Sequence, residues 1–210
     1  MIDKNINIIG VGGHAKIVFE IASLSNYVIE GFYDDNQLFH HNYFCGVEIK
    51  GSINLLSDTN SIIAIGDNNI RKDIAFKINN INWISLIHPK SIISSSVEIG
   101  NGCLIFAGAI IQSSSIIGDH CIVNTNSSID HDCKVGDFVH VSPSATLCGN
   151  VIVGEGTQIG AGATVVPNVK IGNWCVIGAG SVIIKDIPDF SVVVGVPGEV
   201  IKNLSRYDSK

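Results

Sequence analysis

The fold of this chain is decided by the stretch IGNGCLIFAGAIIQSSSIIGDHCIV, residues 99–123, which repeats itself every six residues. Within it, an aliphatic residue recurs as Ile99, Ile105, Ile111, Ile117 and Val123. The spacing continues in both directions, and all 17 positions taken in steps of six from Ile87 to Ile183 are Ile, Val or Leu. A six-residue period fits neither a helix nor an alternating strand, so it predicts a short strand and a turn repeated along the chain.

A second position, four residues after each aliphatic one, carries small or β-branched residues such as Cys103, Ala109, Ser115 and Cys121. We predict that both positions point inward and fill the interior of a triangular prism. Three hexads close one coil of about 18 residues, so 17 hexads build roughly 5.7 coils. The sequence therefore predicts a parallel β-helix over residues 87–188, with backbone hydrogen bonds running between successive coils.

The composition and charge exclude several classes of function. The 210 residues are 46% hydrophobic and 15% charged, and 13 basic against 19 acidic residues give a net charge of −6. An acidic chain without a basic block is not expected to bind nucleic acid or an anionic membrane surface. No apolar run approaches the roughly 20 residues that span a bilayer, and the N-terminus lacks signal-peptide features, so we expect a cytoplasmic protein.

The cysteines favour neither a disulfide framework nor a zinc site. The six cysteines contain no CxxC pair, and a cytoplasmic protein of this size needs no disulfide. Four of them, Cys103, Cys121, Cys133 and Cys175, fall on the second inward position of the repeat. We therefore expect them to be small core residues, and we expect no metal.

Residues 1–86 have a different pattern, in which apolar strands alternate with helices. Strands are predicted at 6–9, 28–33 and 62–65, a helix follows the glycine-rich turn at 10–15, and Asn69 is the expected N-cap of a second helix. This alternation predicts a small Rossmann-like α/β domain with a parallel sheet. Residues 189–210 then form a C-terminal extension.

Ligands of such sheets lie at the carboxyl ends of the strands. Glycines there let the backbone approach a ligand, a helix N-terminus favours phosphate, and acidic groups suit sugar hydroxyls. We favour a nucleotide-sugar site over NAD because the unit is short for two mononucleotide-binding halves, and a plain tight turn is the structural alternative. The candidate substrate-binding residues are Gly12, Gly13, His14, Asp34, Asp35 and Gly66.

One histidine has the surroundings of a general base. His131 lies between Asp130 and Asp132, and a carboxylate on one ring nitrogen fixes the tautomer and raises the basicity of the other. Either carboxylate is a candidate for this role. The alternative is a solvated histidine at a corner of the β-helix.

Three motifs together resemble the PglD/NeuD-type sugar acetyltransferases, a hexapeptide-repeat family. They are GVGGHAKIV at 10–18, AIGDNNIRK at 64–72 and SSIDHDCKVGDFVHVSPSATLCGNV at 127–151. The resemblance implies a left-handed β-helix, acetyl-CoA as co-substrate, and a homotrimer with active sites between subunits. It also implies that His131 is the base, with Asp132 where the family has glutamate, and that the acetyl-CoA contacts are His140, Gly149, Ala161 and Gly180.

The closing turn VGVPGE, residues 194–199, resembles a family turn that ends in a basic residue. Glu199 stands in place of that residue, which leaves Lys202 and Arg206 as cations for the CoA phosphates.

The resemblance favours N-acetylation of the 4-amino group of a nucleotide-linked 4-amino-4,6-dideoxy sugar, with the UDP-linked bacillosamine precursor first. A GDP-perosamine N-acetyltransferase and a sialic-acid-type O-acetyltransferase are the alternatives. Two further classes are a zinc hydratase built on His120, His131 and His140, and a non-catalytic sugar-nucleotide sensor. The zinc class is disfavoured because these histidines are spaced 11 and 9 residues apart, not a whole coil.

Overall fold

The computed structural model describes residues 4–204 and contains a small α/β domain followed by a three-sided β-helix. The domain has six strands: β1 (Asn5–Ile9), β2 (Val28–Tyr33), β3 (Tyr43–Phe44), β4 (Val47–Gly51), β5 (Asn60–Ile63) and β6 (Asn82–Trp83). Helix α1 (Gly13–Leu24) follows β1, and α2 (Asn68–Lys77) follows β5. The strand order is β3-β4-β2-β1-β5-β6, and only the β3–β4 pair is antiparallel. The predicted parallel α/β sheet is confirmed.

Two local features of this domain differ from the sequence prediction. The β3–β4 hairpin was not predicted, and it turns at Cys45 and Gly46, whose φ angles are 50° and 81°. Positive φ at both central residues is the geometry of the tight turns that join hairpin strands. The expected N-cap Asn69 is wrong, because Asp67 caps α2 and its Oδ1 accepts a hydrogen bond from Ile70 N at 2.9 Å.

The β-helix consists of 17 two-residue strands arranged on three faces. Face 1 comprises β7 (Leu86–Ile87), β10 (Leu104–Ile105), β13 (Ile122–Val123), β16 (His140–Val141), β19 (Gln158–Ile159) and β22 (Val176–Ile177). Face 2 comprises β8 (Ile92–Ile93), β11 (Ile110–Ile111), β14 (Ser128–Ile129), β17 (Thr146–Leu147), β20 (Thr164–Val165) and β23 (Val182–Ile183). Face 3 comprises β9 (Glu98–Ile99), β12 (Ile116–Ile117), β15 (Lys134–Val135), β18 (Ile152–Val153) and β21 (Lys170–Ile171).

Neighbouring strands on each face are parallel, and their partners lie one 18-residue coil apart. Leu104 pairs with Ile122, and Ile122 pairs with His140. The predicted parallel β-helix is therefore confirmed. The C-terminal extension adds β24 (Ser191–Val194) and β25 (Glu199–Asn203) to the end of face 1. Arg206 of that extension lies outside the described residues.

The core of the prism is the column of residues that the six-residue period predicted. All 14 positions of the aliphatic series from Ile105 to Ile183 are at most 3% exposed. The prediction is wrong for Ile87, which is 39% exposed because it belongs to the first coil and no earlier coil covers it. Cys103, Cys121, Cys133 and Cys175 are buried and all six cysteines are free, so the core role of these four is confirmed.

The outer side of face 1 packs against the N-terminal domain. Leu86, Leu104, Phe106 and Ile122 are each 0% exposed and share one apolar cluster with residues of β1 and α1. Burying whole aliphatic and aromatic side chains is the main favourable term in such packing. Face 1 is thus the side of the prism that the domain covers.

A buried arginine links the two parts through polar contacts. Arg71 of α2 is 0% exposed, and burial lowers its pKa to about 10. Its guanidinium donates to five oxygens, on both sides of the domain boundary: Ile65 O (3.1 Å), Gly66 O (3.2 Å), Asn68 Oδ1 (2.8 Å), His120 O (2.8 Å) and Phe138 O (2.8 Å). The five donors of a guanidinium are therefore matched to acceptors, as a buried charge requires.

None of the helices in residues 4–204 is long and apolar enough to cross a membrane.

Candidate active site

A cleft lies at the carboxyl ends of β1, β2 and β5, where the sequence placed a ligand. It has two adjoining cavities, which share Gly10, Asp34 and Ile65. The smaller one, about 170 Å³, is lined by the predicted residues Gly12, Gly13, His14, Asp34 and Gly66. The structure therefore brings five of the six candidate substrate-binding residues to one cavity.

The larger cavity, about 330 Å³, contains the sixth residue, Asp35. Its walls are mostly apolar, with Tyr33 and Ile53 on one side and Ile70, Ile74 and Lys77 of α2 on the other. The contribution of α2 was not predicted from the sequence, because those residues recur at helical spacing, as in an ordinary packing face. A concave, mostly apolar cavity with a few polar groups is the usual form of a small-molecule site.

The two aspartates at the end of β2 have different partners. Asp34 Oδ2 accepts from Val11 N at 3.2 Å and its Oδ1 from Asn36 N at 2.9 Å, so it holds the glycine-rich loop in place. Asp35 accepts from Ser52 Oγ at 2.6 Å and Lys77 Nζ at 3.1 Å. Burial alone would raise the pKa of Asp35, but these hydrogen bonds outweigh it and lower the pKa. Asp35 is therefore ionised at neutral pH.

The glycine-rich loop leaves open space above its backbone. A Cβ added at Gly12 or at Gly13 would meet no atom within 4 Å, and Gly12 is the N-cap of α1. Free backbone N–H groups at a helix N-terminus, with no side chain in front of them, suit a phosphate. The binding of a phosphate at this end of the cleft stays a prediction.

His14 connects the cleft to the β-helix. Its ring lies against Phe106 and His140, with centroids 6.0 and 5.7 Å away, and a Cβ at Gly66 would come within 2.7 Å of its Cε1. Burial and then the charge of Arg71 lower the pKa of His14, so the ring is neutral. Its Nε2 is buried and has no hydrogen-bond partner within residues 4–204.

His140 is enclosed at the junction of the two parts. It is 6% exposed, its Nε2 lies 3.0 Å from Asn124 Nδ2, and its Nδ1 lies 3.3 Å from Gly66 O. Burial, reinforced by the charge of Arg71, lowers its pKa to about 4. The ring is therefore a neutral packing and hydrogen-bonding group in the single chain, and its contact with acetyl-CoA stays a prediction.

His131 lies at the corner between faces 2 and 3, and its side chain is 58% exposed. Its Nδ1 is 2.7 Å from Asp132 Oδ2, whereas Asp130 accepts a hydrogen bond from the His131 backbone N at 2.8 Å. The hydrogen bond to Asp132, followed by the charge of Asp130, raises the pKa of His131. Of the two carboxylates that the sequence left open, Asp132 is the one on the ring.

The other ring nitrogen of His131 faces Gly149, one coil further along. A Cβ at Gly149 would lie 2.7 Å from both Cε1 and Nε2 of His131. Glycine at this position therefore keeps Nε2 clear, which is what a proton-accepting atom needs.

The predicted acetyl-CoA residues lie at three places on the prism, since His140 is on face 1 and the other three are at two corners. Gly149 is beside His131, whereas Ala161 and Gly180 lie at the corner between faces 1 and 2. Both are exposed, and a Cβ at Gly180 would meet nothing within 4 Å. A single chain therefore does not bring the four predicted cofactor residues together.

The three histidines of the zinc alternative have unlike environments. His120 is buried between Trp83 and Phe138, and burial lowers its pKa to about 4, whereas His131 is exposed at a corner. Across residues 4–204 no group of three or more His, Cys, Asp or Glu side chains is placed to hold a metal ion.

Comparison with known proteins agrees with this architecture. A family model of the PglD N-terminal domain matches residues 5–78, and one of the bacterial transferase hexapeptide (six repeats) matches residues 150–185. A histidine-to-asparagine variant of perosamine N-acetyltransferase from Caulobacter crescentus, solved in complex with CoA and GDP-perosamine, is 34% identical with a TM-score of 0.89 over 95% of this chain and 97% of that one. This chain belongs to the PglD-type family of hexapeptide-repeat sugar acetyltransferases.

Two further relatives of this PglD-type protein are informative. The acetyltransferase domain of PglB from Neisseria gonorrhoeae is 36% identical, with a TM-score of 0.89 over 94% of this chain and 100% of that one. UDP-N-acetylbacillosamine N-acetyltransferase from Bacillus subtilis (strain 168) is 39% identical over 115 residues, 50% of this chain. The curated relatives are matched over only part of their lengths, 52% for the Bacillus protein and 20% for another.

Proposed function

We propose that this protein transfers the acetyl group of acetyl-CoA to the 4-amino group of a nucleotide-linked 4-amino-4,6-dideoxy sugar. The observation that carries the proposal is His131, an exposed imidazole oriented by Asp132 at 2.7 Å, in a chain that also carries a cleft at the carboxyl ends of its parallel strands. We infer acetyl-CoA as the donor and an amino sugar as the acceptor from the family and from the named activities of its relatives. We also propose that the reaction takes place in the cytoplasm.

In the proposed mechanism, the neutral amine attacks the thioester carbon while His131 Nε2 accepts the proton that the amine loses. Asp132 keeps the proton of the neutral ring on Nδ1 and stabilises the imidazolium that forms. The carbon–sulfur bond then breaks, and the thiolate of CoA takes up the proton. The His131 imidazole and the thiol of CoA both end neutral, so His131 can accept a proton in the next cycle.

In the cleft, we place the diphosphate of the sugar nucleotide against Gly12, Gly13 and His14, with Gly66 behind the histidine. The nucleotide base would occupy the larger cavity beside Asp35, while Asp34 positions the glycine-rich loop. His140 supports His14 from the β-helix side. For acetyl-CoA we keep His140, together with Gly149, Ala161 and Gly180, whose missing or small side chains leave room for the pantetheine arm.

The UDP-linked bacillosamine precursor is our first choice of acceptor, because a curated relative is named for that activity. GDP-perosamine is the alternative supported by the Caulobacter complex. A sialic-acid O-acetyltransferase is the third. Incubating the protein with acetyl-CoA and each acceptor, followed by mass spectrometry and NMR of the products, separates the three and distinguishes N- from O-acetylation.

The two halves of the proposed site lie on opposite sides of one chain. The N-terminal domain covers face 1, whereas His131 lies at the corner between faces 2 and 3, the corner opposite face 1. A nucleotide sugar held by the domain therefore meets the His131 of another subunit. We propose a homotrimer in which three such shared sites close the ring.

Mixed trimers provide a quantitative test of the shared site. The variant His131→Ala removes the base, and Gly12→Asp adds a negative charge at an N-cap that tolerates aspartate and faces the proposed phosphate. Each variant alone should be inactive. When they are co-expressed at equal levels, about a quarter of the sites combine an intact loop with an intact histidine, so about a quarter of wild-type activity should return.

The control is a mixture of the separately purified, non-exchanging homotrimers, which should stay inactive. No recovery in verified mixed trimers would place both halves of the site in one chain and refute the shared arrangement.

The pKa of His131 predicts the pH dependence of the reaction. The base works in its neutral form, so activity falls as pH drops through its pKa, which Asp132 and Asp130 raise above the ordinary value. Asp132→Asn removes the larger of these effects. We expect the acidic limb of the kcat/KM profile to move to lower pH, and kcat to fall about tenfold or more because the tautomer is no longer fixed.

The matched variant is Asp130→Asn, which removes a nearby charge but not the hydrogen bond to the ring. It should shift the same limb by less and leave kcat near the wild-type value. An acidic limb that stays in place in both variants would show that His131 is not the titrating base.

A further inference from the structure

The corner that carries His131 continues along the prism as a straight edge. Positions one coil apart on this edge are His131, Gly149, Pro167 and Lys185. The coils are joined there by hydrogen bonds from Asn150 N to His131 O at 2.9 Å and from Asn168 N to Gly149 O at 3.1 Å. The pairing of β23 with β20 keeps the same register up to Ile183. Lys185 follows two residues later, in a turn at the same corner that is two residues shorter than in the earlier coils, because Ile187 pairs with Ile171. We call these four residues the histidine edge.

The length of the histidine edge matches the length of a CoA arm. Strands in a sheet are about 4.8 Å apart, so three coils place Lys185 roughly 14 Å along the prism from His131. An extended pantetheine arm spans a comparable distance from its sulfur to the diphosphate. Gly149 and Pro167, which lie between, carry no long side chain across this path. An acetyl group at His131 would therefore place the phosphates of CoA near Lys185.

The positive charge at one end of the histidine edge indicates the direction in which the CoA arm would run. Among the described residues at this corner, in all coils, Lys185 is the only lysine or arginine. In the opposite direction the equivalent positions are Ser113 and Ser95. A polyanion bound with its thioester at His131 is therefore attracted toward the C-terminal coils.

Lys185 is held by a single exposed acidic partner. Its Nζ lies 2.9 and 3.1 Å from the two carboxylate oxygens of Glu199, and the two side chains are 56% and 62% exposed. An exposed ion pair of this kind contributes little to stability, whereas a diphosphate offers more charge and more acceptors to the same ammonium group. We therefore expect a phosphate to compete with Glu199 for this ammonium group.

We propose that Lys185 is a phosphate-binding residue for CoA, and that Glu199 occupies its ammonium group when CoA is absent. The inference rests on the proposed function, because it takes acetyl-CoA as the co-substrate and His131 as the position of the acetyl group. The closing turn has Glu199 where the family has a basic residue. We assign the role of that basic residue to Lys185 of the preceding coil, and not to Lys202.

Calorimetric titration of the full chain with CoA and with pantetheine, which lacks the phosphates, tests this assignment. Lys185→Ala should weaken CoA binding about tenfold and leave pantetheine binding unchanged, while Lys185→Arg should restore most of the affinity. Glu199→Gln should strengthen CoA binding about two- to fivefold, because the competitor for the ammonium group is gone. Lys202→Ala, a matched change in the same hairpin as Glu199, should have no effect.

Unchanged CoA affinity in Lys185→Ala would overturn this inference alone, as would an equal loss of CoA and pantetheine binding, which indicates a structural effect. A larger effect of Lys202→Ala would also overturn it. Failure of the wild-type protein to bind CoA at all would overturn both this inference and the proposed function.

Discussion

Replacing His131 with alanine should lower kcat/KM for the amino sugar by about 10²- to 10⁴-fold, the usual contribution of a general base. The amine must lose a proton as the C–N bond forms, and no other histidine of the described chain combines an exposed ring with a carboxylate at 2.7 Å. His131→Asn should be equally inactive, because an amide keeps the polarity but cannot accept the proton. Initial rates of thiol release from acetyl-CoA measure the effect.

The exposure of His131 keeps this experiment free of folding artefacts. With 58% of the side chain in solvent, both variants should melt within a few degrees of the wild type and keep their affinity for CoA. Turnover that persists at more than a tenth of the wild-type rate in both variants would discard His131 as the base.

Replacing Arg71 with methionine should destabilise the protein by about 3–5 kcal/mol, the largest effect on stability that the structure predicts. Methionine fills much of the same space but donates nothing. Five oxygen acceptors then lose their donor. The contacts with His120 O, Phe138 O and Asn68 Oδ1 are buried, so these acceptors have no water to replace the arginine. Denaturant unfolding, followed by a spectroscopic signal, gives the free energy of unfolding.

Lys77→Met is the matched control, since Lys77 is on the same helix and makes an exposed ion pair with Asp35. It should cost no more than about 1 kcal/mol. Similar losses in the two variants would mean that the contacts of Arg71 across the junction do not stabilise it.

The β-helix could be predicted from sequence because its interior repeats every six residues without a break. The period specifies which side chain points inward at each turn, and burial follows it from Ile105 to Ile183. It fails at Ile87, where the end of the prism is open, because a periodic pattern contains no information about where stacking stops. The sheet of the N-terminal domain could also be predicted from the sequence. Its β3–β4 hairpin could not, because it depends on positive φ angles at Cys45 and Gly46 that the composition does not indicate.

The residues of the candidate site could be predicted from the sequence, but the contacts that each of them makes could not. The cleft residues lie at strand ends, which topology alone brings together. Which of Asp130 and Asp132 reaches the ring of His131 depends on side-chain directions at one corner, and sequence leaves both open. The position of Arg71 and His140 between the N-terminal domain and the β-helix could not be predicted from the sequence, because their partners are main-chain carbonyls from distant coils and loops.

The central claim is that an amino group on a nucleotide sugar accepts the acetyl group. The most direct measurement is thiol release from acetyl-CoA with a UDP-linked 4-amino-4,6-dideoxy sugar, compared with the same nucleotide sugar carrying a hydroxyl at that carbon. The account predicts one thiol released per amino sugar consumed, and no release above background with the hydroxyl analogue. Equal release with both sugars, or none with any UDP- or GDP-linked amino sugar, would contradict it.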